Sequence, residues 1–365
     1  MSTPRLRSLD VFRGLTVAAM VLVNSPGSDE VFAPLQHAVW NGWTPTDLIF
    51  PAFLVIMGVS AAFSAAARAE RSTSSAQAAR RALLRAGLLL GLGLLVNTFI
   101  YRGTGGVRFP GVLQRIALCY LGVEGFILFQ RPKAEPAAAA GLLIVYWLFL
   151  TFVPVPGHGP GVLTPEGNLA YWLDQRLFAG HLREDPWGDP EGLLATLPAL
   201  ATSLLGLIAG RLLLKEGAAA ARRLGSLGLI LAALGALWSM VLPLNKHLWT
   251  SSFALFTGGL ALAGLAACLF AVEGRAAQWA RPFEALGRRA LIVYILAGFV
   301  YGIQESIRLT MPGGEEGNLK LWLTARLFEP WMPAKAASLS YAVIYTVAIA
   351  MVASLIAERL DRRQQ

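Results

Sequence analysis

The chain has 365 residues, 55% hydrophobic and 15% charged, against about 25% charged in soluble domains. That deficit excludes an ordinary soluble enzyme. The formal charge of +9 therefore reads as membrane sidedness and not as affinity for nucleic acid.

The first apolar window, residues 9–25, is interrupted by Asp10 and Arg13 and is followed by no small-residue cleavage site. It reads as a span and not as a removed signal. Asp10 and Arg13 stand one helical turn apart and can pair, and charge at that depth either anchors the helix or belongs to a cofactor site. Asn24 closes the window just before Pro26 and Gly27, where by itself it is a cap or turn residue. The loop over 26–46 contains no Lys or Arg and ends in QHAVWNGWTPTD. His37, Trp40, Asn41, Trp43 and Asp47 thus gather at the mouth of the second window, 47–67. An imidazole with an ordinary pKa near 6.5 suits proton transfer at neutral pH, and a carboxylate such as Asp47 can orient it. The competing reading is a loop histidine at a surface or interface.

Further windows follow at 82–100, 111–130, 137–153, 191–214, 224–242, 249–273, 290–310 and 338–357, giving about ten spans. Gln114 and Arg115 enter the fourth, where a guanidinium needs an anionic partner or a ligand. Gly87 with Gly91, and Gly206 with Gly210, have the spacing that lets helices approach closely. Cys119 and Cys268 fall inside apolar runs and read as buried filler, not as a disulfide. The four histidines have no i, i+4 pair, so no metal is expected. Two loop segments, GNLAYWLDQRLF from Gly167 and GNLKLWLTARLF from Gly317, share eight of twelve positions. Each predicts a short amphipathic helix capped by Asn and lying at the interface. Convergent composition and an old duplication both explain the likeness.

Twenty of the 31 Lys and Arg residues fall in one alternating set that includes Arg5, Arg7, the run from Arg68 to Arg85, Arg131 and the cluster Arg359, Arg362 and Arg363. Ten, among them Arg102, lie in the opposite and longer loops. The positive-inside rule then predicts cytoplasmic N and C termini and outer loops at about 26–46, 101–110, 154–190 and 311–337. The expected fold is an all-α polytopic membrane protein, a single domain over 1–365.

The segments LRSLDVFRGLTV with LVN, HAVWNGWTPTDLIFPAFLVIMGVS, FPGVLQRIALCY, DPEGLLATLPA and LNKHLW together resemble the heparan-α-glucosaminide N-acetyltransferase family of membrane acyltransferases and its shorter bacterial relatives. The resemblance implies an enzyme of a bacterial inner membrane that moves the acetyl group of cytosolic acetyl-CoA to the amine of a glucosamine-type sugar on the periplasmic side. It implies an active histidine at His37 and a partner asparagine at Asn24. The chain departs from the family in lacking the large extramembrane N-terminal domain of the animal enzyme, in having one span fewer, and in carrying Arg289 where Asn is frequent.

On that reading His37, Asn24 and Asp47 are the catalytic candidates. Arg13, Arg115, Arg288 and Arg289 are candidates for the CoA phosphates, and Trp40, Asn41 and Trp43 for the acceptor. His37 either attacks the thioester to form an acetyl-imidazole or deprotonates the amine for direct transfer, and Asn24 donates to the oxyanion. The rivals are an O-acyltransferase of a surface or cell-wall glycan, a sugar or lipid-intermediate transporter, and a scaffold without chemistry. The expected partners are the amino sugar and the bilayer, with a homodimer left open.

Overall fold

Each of the ten apolar windows is a helix in the computed structural model, which describes residues 6–100, 107–129, 132–183, 187–311 and 314–362. Arg5, Arg102, Arg131 and Arg363 lie outside the described residues, as do 101–106, 184–186 and 312–313 of the expected outer loops. In chain order the helices are α1 (Arg7–Asn24), α2 (Ile49–Glu70), α3 (Ser75–Ile100), α4 (Val112–Leu128), α5 (Glu135–Phe152), the short α6 (Leu169–Phe178), α7 (Thr196–Glu216), α8 (Ala221–Trp238), α9 (Ser251–Val272), the short α10 (Arg281–Arg288), α11 (Ala290–Ser306), the short α12 (Leu319–Leu327) and α13 (Ala334–Arg362). Among the described residues, six stretches are long and apolar enough to cross a bilayer, or seven if α10 and α11, bent by 73° against each other, form one broken span. Helix α1 carries Arg7, Asp10 and Arg13, and α4 has only 17 residues, so neither is among them. Helices α7 and α8 count there as a single stretch of 43 residues, although Gly217 breaks it with φ at +58°.

One boundary differs by a full turn or more at a place that matters for the site. Helix α7 starts at Thr196 and not near Glu191, because 189–195 is a loop pinned by side chains. The fold is all-α as expected apart from a small antiparallel ribbon, β1 (Arg308–Thr310) with β2 (Glu316–Asn318). Its turn contains Gly314 in the left-handed region at φ +88°, a conformation that glycine adopts without steric cost.

Apolar side chains on α3, α8 and α13 point out of the bundle, among them Leu84, Leu88, Leu229, Leu237 and Met351. Such outward rows suit lipid and would be costly in water. Inside, α2 and α7 touch backbone to backbone. A Cβ on Gly58 would lie 2.1 Å from the Ser203 carbonyl oxygen, and one on Gly206 would lie 2.2 Å from that of Val55. The Gly206 and Gly210 spacing is thus a close approach, whereas Gly87 and Gly91 have nothing within 4 Å and face outward. Both cysteines are free and buried.

The two similar segments form α6 and α12, and their caps match the expectation. Asn168 accepts from the Tyr171 amide at 2.7 Å, and Asn318 accepts from that of Leu321 at 2.9 Å. Helix α6 places Tyr171 against Trp40, with ring centroids 5.7 Å apart. The Thr324 hydroxyl of α12 donates to the Gly27 carbonyl at 3.1 Å. Both helices therefore hold the loop between α1 and α2, the one that carries His37.

Candidate active site

Asp47 is fixed before it meets any other functional group. Thr44-Pro45-Thr46-Asp47 starts α2 through one 3₁₀ turn with Thr44 as N-cap, proline at the first position and Asp47 at the third, where a carboxylate reaches back to unpaired amides. Asp47 Oδ2 accepts from the amides of Thr44 at 3.0 Å and Ala38 at 3.1 Å. The side chain is 0% exposed, which leaves Oδ1 aimed at the loop above. There it lies 2.7 Å from His37 Nδ1. The structure thus brings His37 and Asp47 into hydrogen-bond contact, and a carboxylate at Nδ1 favours the Nδ1–H tautomer that a positioned base or nucleophile requires.

A third group stands beside them that the sequence reading passed over. Lys246 Nζ is 3.2 Å from Asp47 Oδ1, 2.8 Å from His37 Nδ1 and 3.3 Å from Nε2. Its loop is zipped to the His37 loop. The Gly42 amide donates to the Leu244 carbonyl at 2.7 Å, and the Asn245 side-chain amide donates to Asn41 Oδ1 at 3.1 Å. Burial lowers the pKa of His37, with Lys246 adding to the fall and the Asp47 hydrogen bond opposing it. Burial likewise lowers Lys246, against the pull of Asp47.

His37 and Lys246 line a cavity of about 860 Å³ bounded by α1, α2, α3 and α11, within the size range of small-molecule sites. Asn24 lines the same cavity, so two of the three catalytic candidates face it and Asp47 stands behind His37. Arg108, Arg183 and Glu191 line the cavity too. Arg108 donates through Nε to Asp189 at 2.8 Å and through Nη2 to both Asp189 and Glu191. Burial is the largest influence on Glu191 and opposes its charge, but Arg108, Arg115, Arg183 and Lys246 together outweigh it and the carboxyl is held down at about 2.

The acceptor candidates are placed differently. Trp40 donates its indole N–H to the Leu163 carbonyl at 2.9 Å and packs on His247 and Tyr171. Asn41 is consumed in the loop-to-loop zip, and Trp43 stacks on Phe256. None of the three is among the cavity-lining residues. They build the loop that presents His37.

The arginine candidates divide. Arg115 lies behind the cavity wall and is almost wholly buried, 5.0 Å from the Trp249 ring centroid and 6.0 Å from that of Phe50, donating to the Gly192 carbonyl at 3.2 Å. Its partners are aromatic faces and a carbonyl. At the opposite end of α1, Arg13 donates to Asp10 at 3.1 Å and to the Ser60 hydroxyl at 2.7 Å. Arg288 comes within 3.8 Å of Asp10 and also pairs with Glu284, which holds Arg7 at 2.7 Å. The bend between α10 and α11 puts Arg289 next in line. Backbone contact makes this cluster, since a Cβ on Gly14 would lie 1.7 Å from the Phe283 carbonyl oxygen.

Residues 5–242 match the catalytic-region model described as heparan-alpha-glucosaminide N-acetyltransferase, catalytic. The chain is 31% identical to the human protein named heparan-alpha-glucosaminide N-acetyltransferase, over 80% of this chain and 52% of that protein. It is 29% identical to the mouse protein of the same name, over 80% of this chain and 53% of that one. The chain thus spans about half the length of the curated relatives it matches.

Proposed function

The chain belongs to the heparan-alpha-glucosaminide N-acetyltransferase family, and from that premise we propose that it is a multi-pass membrane enzyme transferring acetyl from acetyl-CoA to the amine of a glucosamine-type sugar. The observation that carries the reading is the His37 imidazole, bonded to a fully buried Asp47 on the wall of the cavity that Asn24 also lines. We take α1 to α5, α7 to α9, α11 and α13 as ten spans of an inner membrane, both termini cytoplasmic and the His37 end periplasmic. The distribution of Lys and Arg supports this orientation.

In the proposed reaction the sugar nitrogen attacks the thioester carbonyl carbon, the C–S bond breaks, and CoA leaves as the thiol. The amine proton passes to His37 Nε2 and from there to the departing sulfur, while Asp47 orients the ring through Nδ1. The Asn24 amide is placed to donate to the carbonyl oxygen as it gains charge. Arg13, Arg288 and Arg289 suit the CoA phosphates, because guanidinium groups bind phosphate through several N–H donors. Arg13 and Asn24 are eleven residues apart on α1, about 16 Å at the helical rise, and the pantetheine arm must cover that length. Arg115 is better read as a strut under the His37 wall.

Acetyl-CoA is expected to raise the thermal stability of the purified protein, since a ligand selective for the folded state stabilises it by mass action. Arg13→Ala weakens that effect by about tenfold in affinity, equal to roughly 1.4 kcal/mol, and leaves acceptor affinity almost unchanged. The reverse pattern assigns Arg13 to the acceptor or to structure. Labelled acetyl-CoA offered with free hexosamines and with N-acetylated controls tests the reaction itself. Label on the hexosamines alone supports amine transfer, and label on both turns the reading to a hydroxyl acceptor.

Orientation is tested separately. Cysteines introduced at Ser28 and Ser74 are expected to react with a membrane-impermeant reagent from opposite sides, Ser28 from outside. Labelling of both from one side overturns the topology.

A further inference from the structure

Asp47 Oδ1 faces two bases at once, the His37 imidazole at 2.7 Å and the Lys246 ammonium at 3.2 Å, and these two bases are themselves 2.8 Å apart. One carboxylate can neutralise one cation. If Lys246 carries that charge, protonating His37 would put a second cation within 3 Å of the first with no further anion to meet it, which is strongly disfavoured. The other charged groups facing His37 do not relieve this. Arg183 is a third cation, and Arg108, Arg183 and Lys246 together already stand against Asp47, Asp189 and Glu191, so no carboxylate is left over for a protonated His37. Lys246 is kept in place by its loop, because Asn245 is fixed through its own amide to Thr250, through its side-chain oxygen to Leu248 and through its side-chain amide to Asn41. The lysine side chain is only 15% exposed, against 42% for His37.

We propose that Lys246 is a positioning residue for the acyl transfer, whose ammonium takes up the charge of Asp47 and thereby keeps His37 a neutral imidazole into the acidic range. The assignment rests on the acyl-transfer reading for its purpose, since only the neutral ring can attack a thioester or accept the amine proton. Burial of His37 acts in the same direction as Lys246, so removing the lysine weakens the effect without reversing it.

The test is a titration of His37 by NMR in the full-length protein with labelled histidine, the signal assigned by its loss in His37→Ala. In Lys246→Gln the freed Asp47 pairs with imidazolium, and the His37 pKa is expected to rise by about one unit or more, the size of shift an adjacent opposite charge produces. Loss of acetyl transfer on the acid side then moves to higher pH by the same amount. Lys246→Arg keeps the charge and retains the wild-type titration. An unchanged or lower His37 pKa in Lys246→Gln overturns the proposal. Should Lys246→Gln fail to fold, Asp47→Asn gives the second arm, with the His37 pKa expected to fall while Lys246 remains, and a rise there overturns it equally. The titration needs no turnover, so a wild-type protein that titrates as expected but transfers no acetyl group would sink the acyl-transfer reading and leave the charge assignment standing.

Discussion

Changing His37 to Ala is expected to abolish acetylation of glucosamine while leaving acetyl-CoA binding nearly intact. The imidazole lines the cavity that Asn24 also lines, and Asn24 is about 16 Å along α1 from Arg13, so most of a long ligand never touches the imidazole. A loss of three or more orders of magnitude in turnover is the expected size when a nucleophile or base is removed, with the remainder supplied by binding and oxyanion contacts. Asn24→Ala reduces turnover by a smaller factor, on the order of a hundredfold, because it withdraws a donor and leaves the proton acceptor. Acid quenching without acceptor separates the two routes. Stable label on wild type that vanishes in His37→Ala supports an acetyl-imidazole, and absence of label supports direct transfer. Full activity in His37→Ala removes the central assignment.

Asp47→Asn carries the second-largest effect. The carboxamide is nearly the same shape, and its oxygen can still accept from the amides of Thr44 and Ala38, so the turn that starts α2 survives. Its NH₂ then faces His37 Nδ1, which must turn acceptor, and the proton moves to Nε2 where the chemistry needs a lone pair. Turnover is expected to drop on the order of 10²- to 10⁴-fold, with thermal stability lowered by no more than about 2 kcal/mol. A steady-state assay beside a melting curve checks both. Equal losses in activity and folded protein would make Asp47 a structural cap alone.

Most of the helical frame was legible because a span announces itself by length and apolarity, and all ten windows became helices. The loops were less legible. His37 and Asp47 were readable as a pair because only ten residues separate them at one span mouth, whereas Lys246, 209 residues beyond His37, sits in a short loop with no periodicity to mark it. Its one advance signal was the LNKHLW stretch, which pointed to the family and not to a contact. Trp40, Asn41 and Trp43 share a segment with His37, and sequence nearness suggested a shared role. The chain direction alternates there, however, so that His37 turns to the cavity and its neighbours turn to α6, the 243–250 loop and α9. Arg115 was marked as a cation needing an anionic partner or a ligand, and no rule of spacing distinguishes these from the faces of Trp249 and Phe50 that it meets. Gly87 with Gly91 failed for a related reason, since lipid-facing and protein-facing sides of a span are equally apolar.

The loop that carries His37 is tied down by residues made long after it. The Gly27 and Ser28 amides bond to Ser338, the Thr324 hydroxyl bonds to Gly27, and the Gly42 amide bonds to Leu244. About 300 residues separate His37 from Ser338, and ribosomes add about 5–20 residues per second, so the loop waits on the order of 15 to 60 s for its last anchors. During biogenesis the catalytic end would therefore be assembled last, and a chain stopped near residue 242 would insert most of its spans yet hold His37 without Lys246, Asn245, α12 or α13.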